Sequence, residues 1–456
     1  MPCGMGVADV RALADGVRAG SARTSWTIPA LLVSDFCGSA AALAQATILG
    51  KLVYDLTASE FDLGLLGLAE FAPALLLVLV SGAVADRVDR RRLVAVAALS
   101  QAAMALGLGW YAGTEPTSVV PIFLLVIGFG TALAFSAPAG RSVPADAVEP
   151  ERLPRLIARS SVAYQAGIIA GPVIGGFLYT VDVRLPFVAV ALLLVVMSAA
   201  AMTVQLKPAT HPRVSVDLSS DPDILLAQAT QEAGTEPSTG LGTSASRGGV
   251  HEAMEGLRFV KRQPILLGAI SLDLLAVLFG GAIALLPAIA KDRLGVGVVG
   301  LGWLRAAVGI GAGAMTAVIT VRPVTRFVGR TLLVVVALFG AFTIVLGVTR
   351  DFAVAFIAMV ALSAADAVSV FIRATLVPLL TPASKRGRVL AVESVFIGGS
   401  NELGAFESGV TGQLLSTSGS VVLGGIATVG ISIGWWFLFP MLREVDRFPV
   451  SADLDD

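Results

Sequence analysis

The sequence predicts an all-α polytopic membrane protein whose twelve transmembrane helices form two pseudo-symmetric bundles of six. First, 55% of its 456 residues are hydrophobic and only 14% are charged, whereas soluble domains carry about 25% charged residues. Second, apolar segments long enough to cross a bilayer recur in two sets of six, separated by a polar insert at 207–263. Third, arginine and lysine concentrate in the loops on one side of the predicted membrane, which fixes the orientation.

Membrane-length segments can be placed along the whole chain, because a transmembrane helix needs about 20 mainly apolar residues. The first set is predicted near 30–52, 63–85, 91–112, 119–140, 156–179 and 185–206. The second set is predicted near 265–289, 297–321, 331–348, 352–377, 389–415 and 420–442. The sequence therefore divides into an N-terminal lead at 1–27, a bundle at 28–206, a linker at 207–263, a bundle at 264–442 and an acidic tail at 443–456.

The insert between the two sets differs in composition from the rest of the chain. Positions 208–249 are rich in serine, threonine, glycine, proline and acidic residues, which cannot bury enough apolar surface to offset the entropy of ordering. We therefore predict a flexible cytoplasmic linker. His251–Arg262 then shows apolar residues at helical spacing, which predicts an amphipathic helix on the membrane surface.

The distribution of basic residues predicts that both termini are cytoplasmic. Most of the 32 lysines and arginines fall on the side that holds the two termini and the linker. The other side holds only Lys51, Arg184, Lys291, Arg293 and Arg350.

A glycine and a cluster of charges mark the turn between predicted spans two and three. The residues are Gly82, Asp86, Arg87, Arg90 and Arg91. Their spacing resembles the motif G-x-x-x-D-R-x-G-R-R that major facilitator superfamily transporters carry in this turn, although Asp89 stands where the motif has glycine. The resemblance extends over residues 28–442 and implies two six-helix bundles with the substrate held between them.

This motif has two interpretations, a gate and a simple positive-inside anchor. As a gate, Asp86 would approach the N-terminal end of span eleven near Arg388, where backbone amides attract an anion. The arginines would pair with carboxylates of the loop at 141–155, namely Asp146, Glu149 or Glu151. We favour the gate, because anchoring alone would require neither Gly82 nor Asp86.

Span five carries a second motif, made of Gly167, Gly171, Pro172, Gly175 and Gly176. Glycines four residues apart form a smooth stripe that lets a neighbouring helix approach closely. The run resembles an element of span five in the exporter branches of the superfamily. Ser400–Gly409 in span eleven holds a weaker version. Tight packing alone is the simpler interpretation, and a role in preventing leak would depend on the same packing.

Ionisable residues inside predicted spans are costly and usually face a partner or a wet cavity. With one neighbouring amide, the candidate proton or substrate site comprises Asp35, Glu70, Asp273, Arg305, Asp366, Arg373, Asn401, Glu402 and Glu407. Asp35 and Asp273 occupy equivalent depths in spans one and seven, as snorkelling or gating residues. Glu70 and Arg305 occupy equivalent positions in spans two and eight, as an ion pair at the outer mouth or as interfacial charges.

Span eleven is the segment richest in these groups. Glu402 and Glu407 project about 140° apart on a helix, so both cannot face one cavity. One is predicted to carry a proton and the other to partner Arg305 or Arg373, with a structural ion pair as the alternative. Desolvation favours the neutral form of a buried carboxyl and a nearby cation reverses this, which is what a proton carrier requires.

Ile157–Tyr179, Ile270–Leu304 and Arg388–Gly409 resemble bacterial siderophore and drug exporters of the enterobactin-exporter type. The resemblance implies proton-driven efflux of small amphiphilic molecules across a bacterial cell membrane by a monomer. Span four, Val119–Gly140, lacks the basic residue that many drug–proton antiporters place there. The alternatives are an uptake symporter for a polar metabolite and a lipid flippase.

An enzyme is not expected, since the sequence has no G-x-x-x-x-G-K-[ST] phosphate loop. His211 and His251 both lie in the linker region and the two cysteines lack metal spacing. We therefore expect neither a metal nor a cofactor, with the proton gradient as the energy source. The expected partners are a small-molecule substrate and the lipid bilayer, and not nucleic acid.

Overall fold

A computed structural model of the chain describes residues 7–148, 152–206 and 249–448. Residues 207–248, which form most of the predicted linker at 207–263, lie outside the described residues. The N-terminal half contains helices α1 to α6, with bounds Val7–Thr57, Glu60–Arg87, Arg90–Ala112, Val120–Ala147, Leu153–Val181 and Leu185–Thr203. The C-terminal half contains α7 to α15, with bounds Gly249–Arg262, Pro264–Phe279, Leu286–Ala288, Val298–Val321, Val328–Val348, Phe352–Leu379, Ala383–Leu415, Thr417–Leu438 and Pro440–Arg443.

Eleven of the twelve predicted spans coincide with a long helix, and the predicted seventh span begins with the shorter helix α8, so the all-helical membrane architecture is confirmed. Among the described residues, nine helices are long and apolar enough to cross a membrane. The pair α7–α8, bent by 110°, adds a tenth if it counts as one span. Helices α2 and α13 occupy the positions of predicted spans two and eleven. Large apolar side chains such as Leu76, Trp110 and Phe437 are exposed on the outer surface, as expected where lipid replaces water.

The two halves pack in the same way. In the N-terminal half α1 packs on α5 and α6, while α3 packs on α4 and α6. In the C-terminal half α11 packs on α12 and α14, while α10 packs on α12. The halves meet mainly through α2 with α13 and α5 with α10. By position in its half, α2 corresponds to α10 and α5 corresponds to α13. The two contacts are therefore equivalent, which is the pseudo-symmetry that the sequence predicts.

The glycine stripe of α5 lies against α1. A Cβ atom added at Gly167 or Gly171 would overlap atoms of Ser39 or Ala40 on α1. On another face, a Cβ at Gly302 of α10 would lie 2.5 Å from the carbonyl oxygen of Pro172. The motif therefore brings α5 close both to its own bundle and to the opposite half, as the packing interpretation requires.

Two boundaries differ from the predicted divisions. Helix α1 begins at Val7, so most of the predicted lead at 1–27 is the first part of the helix that also forms the first span. The segment after α14 packs onto the bundle, where the amides of Val328 and Gly329 donate to the carbonyl oxygens of Asp446 and Val445 at 3.3 and 3.0 Å. The predicted tail therefore begins with a docked segment, and positions 449–456 lie outside the described residues.

Helix α7 also differs from its predicted environment. It forms at the predicted position, but it packs against α8 and α13, and Val260 is fully buried there. Arg388 of α13 forms an ion pair with Glu255 of α7 at 2.7 Å. The helix is therefore held by protein contacts, in addition to any contact with lipid.

Candidate functional site

A cavity of ≈ 400 Å³ lies between the two halves. Helices α1, α2, α8, α10, α11, α12 and α13 contribute to its wall. The apolar part of the wall includes Leu49, Leu63, Leu66, Val277, Ile283 and Phe339. The polar part consists of Glu70, Arg305, Asp366, Asn401 and Glu402, each of which belongs to the set that the sequence singles out.

Span seven is interrupted where it borders the cavity. The sequence predicts one helix over 265–289, and this is wrong, because α8 ends at Phe279 and helix resumes only at Leu286. Gly280 and Gly281 line the cavity at the break. A Cβ added at Gly281 would lie 2.6 Å from Ser408 Oγ, so this close approach to α13 requires glycine. The break leaves a turn of backbone facing the cavity, which is tolerated where polar backbone groups border a wet space.

Glu70 and Arg305 face the cavity from opposite halves. The charge of each acts on the other, although no contact of 4 Å or less joins them. The Nε atom of Arg305 is buried and has no hydrogen-bond partner among the described residues. Both side chains are thus part of the cavity wall, and their place at the outer mouth stays a prediction.

Helix α13 places its two central carboxylates on different faces. Glu402 lines the cavity, and a Cβ added at Gly67 of α2 would lie 3.0 Å from its Oε2 atom. Glu407 is half-buried and does not belong to the wall. This agrees with the angular argument from the sequence, by which only one of the two can face the cavity.

Arg373 forms a buried ion pair with Asp273. The Arg373 Nη2 to Asp273 Oδ1 distance is 2.7 Å, and the side chains are 5% and 8% exposed. Arg373 Nε also donates to Ser369 Oγ at 3.4 Å. The sequence assigns Arg373 or Arg305 to a carboxylate of span eleven and gives Asp273 a snorkelling or gating role. The structure instead joins Arg373 to Asp273 inside the C-terminal bundle, while the counterpart Asp35 is half-buried on α1.

The arginine-rich turn shows part of its predicted pairing. Arg90 contacts Asp146 at 2.5 Å, one of the carboxylates expected from the segment 141–155. Arg91 binds Asp89 at 2.9 Å, and its hydrogen bond lowers the pKa of the Asp89 carboxyl. Arg87 is exposed. Gly82 and Asp86 are described only as part of the backbone of α2, and Glu149 and Glu151 lie outside the described residues, so the gate stays a prediction.

At the opposite end of the bundle, polar contacts join the two halves. We call these contacts the latch. Lys291 Nζ binds Asp55 Oδ1 at 2.9 Å, and Tyr54 donates a hydrogen bond to Asp292. Thr417 Oγ1 donates to Glu60 Oε1 at 2.6 Å, and Ser59 Oγ contacts Gln413 Oε1 at 3.4 Å. The latch therefore joins the two halves at this end.

Sequence reasoning misses the latch, because it counts Lys291 only among the basic residues of one side and does not single out Asp55 or Asp292. The signal for these contacts in the sequence is the charge next to two spans. An acidic residue follows predicted span one, and a basic and an acidic residue follow predicted span seven. Complementary charge in turns on the same side of the membrane is weak guidance, however, until the packing of the halves is known.

Comparison with known proteins agrees with this architecture. Residues 31–405 match the sequence profile of the Major Facilitator Superfamily. Among curated proteins, none is similar enough in sequence to count as a match.

Similar solved structures include a bacterial homologue of the human lysosomal transporter Spinster in an inward-facing, unoccupied conformation. It is 15% identical, with a TM-score of 0.66 over 94% of this chain and 99% of that chain. A D-xylose–proton symporter is 17% identical, with a TM-score of 0.63 over 92% and 98% of the two chains. The nucleoside transporter NupG is 12% identical, with a TM-score of 0.64 over 92% and 99%. At these identities the likeness shows the fold alone, whereas the profile covers most of the chain. The chain therefore belongs to the Major Facilitator Superfamily.

Proposed function

We propose that this protein is a secondary active transporter that exports small amphiphilic molecules by alternating access, with the proton gradient as its energy source. The observation that carries the proposal is the cavity between the halves, whose wall is largely apolar with a few charged groups. Transporters built from such repeats hold the substrate near the membrane midplane, at the interface of the repeats. Apolar walls with sparse polar groups suit a molecule with an apolar body and a polar end.

The charges of the wall favour a substrate with a cationic group. Glu70, Asp366 and Glu402 contribute carboxyls, and Arg305 contributes the cation of the wall. A positive group on the substrate would offset this excess of carboxyls, and complementary charge gives specificity. A polar metabolite fits less well, because Asn401 is the uncharged polar side chain that accompanies them.

The direction of transport rests on the resemblance of Gly167–Gly176 and Arg388–Gly409 to exporters. It also depends on a cytoplasmic position for the arginine-rich turn, as the distribution of basic residues predicts. The latch would then close the outer end, and the cavity would be ready to accept substrate from the cytoplasm. This is the state in which an exporter loads.

Efflux from cells lacking other exporters tests the proposal. We expect expression to accelerate efflux of the amphiphilic cation ethidium, and a protonophore to abolish this gain. Loss of the Glu402 charge in Glu402→Gln should weaken ethidium binding about tenfold, or ~1.4 kcal/mol. Glu407→Gln is the matched control, since it changes the same residue type on the same helix away from the cavity, and its effect should be smaller.

Three results would contradict the proposal. Accelerated uptake of ethidium would reverse the direction, and efflux that ignores the protonophore would remove the proton. Movement of a fluorescent lipid between the leaflets of reconstituted vesicles, with no efflux of ethidium, would favour a flippase.

A further inference from the structure

Arg305 brings a positive charge to the cavity that no contact with the protein neutralises. Among the described residues that line the cavity, it is the only basic one. Within the described part of the chain, no hydrogen bond or ion pair holds its guanidinium, and its Nε atom is fully buried. Arg373 in the same half, by contrast, binds Asp273 at 2.7 Å. Because a guanidinium has five N–H donors and no acceptor, Arg305 is available to an acceptor that enters the cavity.

The helix that carries Arg305 forms one of the two interfaces between the halves, that of α5 with α10. A Cβ added at Gly302 would lie 2.5 Å from the carbonyl oxygen of Pro172, and one added at Gly309 would lie 2.7 Å from Ile169 Cγ1. Around the helix, Arg305 stands about 60° from Gly302 and about 40° from Gly309. The base of the Arg305 side chain therefore lies beside this interface.

The negative charge of Glu402 stands at the other interface, that of α2 with α13. A Cβ added at Gly67 of α2 would lie 3.0 Å from Glu402 Oε2, and one added at Gly409 of α13 would lie 2.8 Å from the Cα of Gly64. Among the described residues, no ion pair or hydrogen bond holds the carboxyl of Glu402 or of Glu70. The cavity wall thus presents opposite charges from two interfaces that share no helix, and neither charge is neutralised by contact.

A ligand that fills this cavity displaces water from both kinds of charged group. A buried donor or acceptor left without a partner costs its full desolvation free energy. A ligand with a cation alone provides a partner for the carboxyls, but it leaves the donors of Arg305 against its apolar body. A ligand with a cation and an oxyanion provides partners for both. The volume of ≈ 400 Å³ and the largely apolar wall also leave room for an apolar body, since pockets of this size hold drug-sized molecules.

We infer that the cavity selects zwitterionic amphiphiles, with the cationic group of the ligand at Glu402 and Glu70 and an oxyanion on Arg305. This inference rests on the proposed function and adds a negative group to the substrate class. Arginine binds carboxylate and phosphate through two parallel N–H···O bonds, so Arg305 determines specificity for the oxyanion. The polar end of the ligand then extends from one interface between the halves to the other.

Calorimetric titration of the purified full-length protein in lipid nanodiscs tests the inference with two matched esters. Octanoylcarnitine and octanoylcholine share the acyl chain and the quaternary ammonium group, and the carnitine ester adds one carboxymethyl branch. We expect the wild-type protein to bind octanoylcarnitine about tenfold more tightly, the effect of one hydrogen-bonded charge pair. We call this ratio the zwitterion preference.

Four variants show which residue produces the zwitterion preference. In Arg305→Gln the affinity for octanoylcarnitine should fall about tenfold, while the affinity for octanoylcholine should not fall. Arg305→Lys keeps the charge but lacks the planar fork of donors, so the preference should shrink without vanishing. Glu402→Gln should weaken both esters equally, because both carry the cation. Arg322→Gln is the matched control, since this exposed arginine follows the end of the same helix, and it should change neither affinity.

Two results would overturn the inference. One is equal affinity of the wild-type protein for the two esters, and the other is equal weakening of both by Arg305→Gln, which would mean that Arg305 supports the cavity wall and not the oxyanion. Thermal unfolding establishes that each variant is folded. If Arg305→Gln does not fold, Arg305→Lys decides, because an unchanged preference there would contradict the two-bond contact.

Transport measurements separate this inference from the proposed function. If proteoliposomes move neither ester and no ethidium, the proposed export of amphiphiles fails, whereas an Arg305-dependent zwitterion preference in the titration still supports the binding site. If ethidium and both esters are transported and the preference is absent, the proposed function stands and the inference fails.

Discussion

Arg373 is the residue on which the buried charges of the C-terminal bundle depend. It neutralises Asp273 directly at 2.7 Å and also acts on Asp366 and Glu393. The two members of the ion pair are therefore unequal. Without Asp273, the charge of Arg373 still acts on two carboxyls, whereas without Arg373 no cation of the described residues acts on the three carboxyls.

We therefore predict that Arg373→Gln destabilises the protein more than Asp273→Asn. Breaking a buried pair by removing one partner costs about 3–5 kcal/mol, and Arg373→Gln should fall in this range. Asp273→Asn should cost clearly less. Thermal unfolding in detergent at neutral pH measures the difference. Acidification should recover part of the loss in Arg373→Gln, since a protonated carboxyl has no charge to bury. Equal losses would show that Arg373 serves Asp273 alone.

Which residues line the site is largely predictable from the sequence, but their partners are not. Glu70, Arg305, Asp366, Asn401 and Glu402 stand out because an ionisable or amide side chain inside an apolar span has a high cost, and all five line the cavity. The pairing of Arg373 is different. It depends on which faces of α8 and α12 meet, and that is decided by packing along their whole length.

At the scale of helices, close packing of small residues determines how the N-terminal bundle is assembled. Gly171 of α5 has no room for a side chain, because a Cβ there would overlap the carbonyl oxygen of Ala40. Because this oxygen belongs to the backbone of α1, it cannot shift away as the end of a flexible side chain can. Gly430 of α14 offers the opposite case, since a Cβ there would meet nothing within 4 Å.

The same substitution should consequently have opposite effects at these two positions. Gly171→Ala overpacks the contact between α1 and α5, and we expect a loss of about 1–3 kcal/mol. Gly430→Ala should be neutral or stabilise by up to about 1 kcal/mol, the difference in helix propensity. The midpoint of thermal unfolding reports both changes. A stable Gly171→Ala variant would show that α1 and α5 can separate at this point without cost.

The sequence predicts the helices well and their interruptions less well. Length and hydropathy identify each span, since the bilayer sets the length of a crossing. The break after Phe279 is missed because glycine, the residue type at 280 and 281, is also common in uninterrupted transmembrane helices. What makes them a break here is the neighbouring α13, whose Gly404 carbonyl would overlap a Cβ at Gly281. The hydropathy along the sequence does not indicate that contact between distant residues.

For the whole molecule, the latch is the set of polar contacts that joins the two halves at one end. Residues of α1 and α2 meet the end of span seven and the junction of α13 and α14 through charged and polar contacts. Such contacts are suited to repeated opening, because each polar group can form hydrogen bonds with water when the halves separate. The sequence gives only weak guidance to the latch, since its members come together only when the two halves dock.

Asp55 is the member of the latch whose loss should shift the balance between closed and open states. It contacts both Lys51 and Lys291, and its side chain is partly exposed, so each pair contributes no more than about 1 kcal/mol. Asp55→Asn should therefore raise the population open at this end by a few-fold, about fivefold at most for 1 kcal/mol.

The distance between spin labels at Ala58→Cys and Leu414→Cys, with Cys3 and Cys37 replaced by serine, measures the populations. Asp182→Asn is the control, because that carboxylate accepts a hydrogen bond from the Arg184 amide in its own half, and it should leave the distribution unchanged. An unchanged distribution in Asp55→Asn would mean that apolar packing of α2 on α13, rather than the latch, holds this end closed.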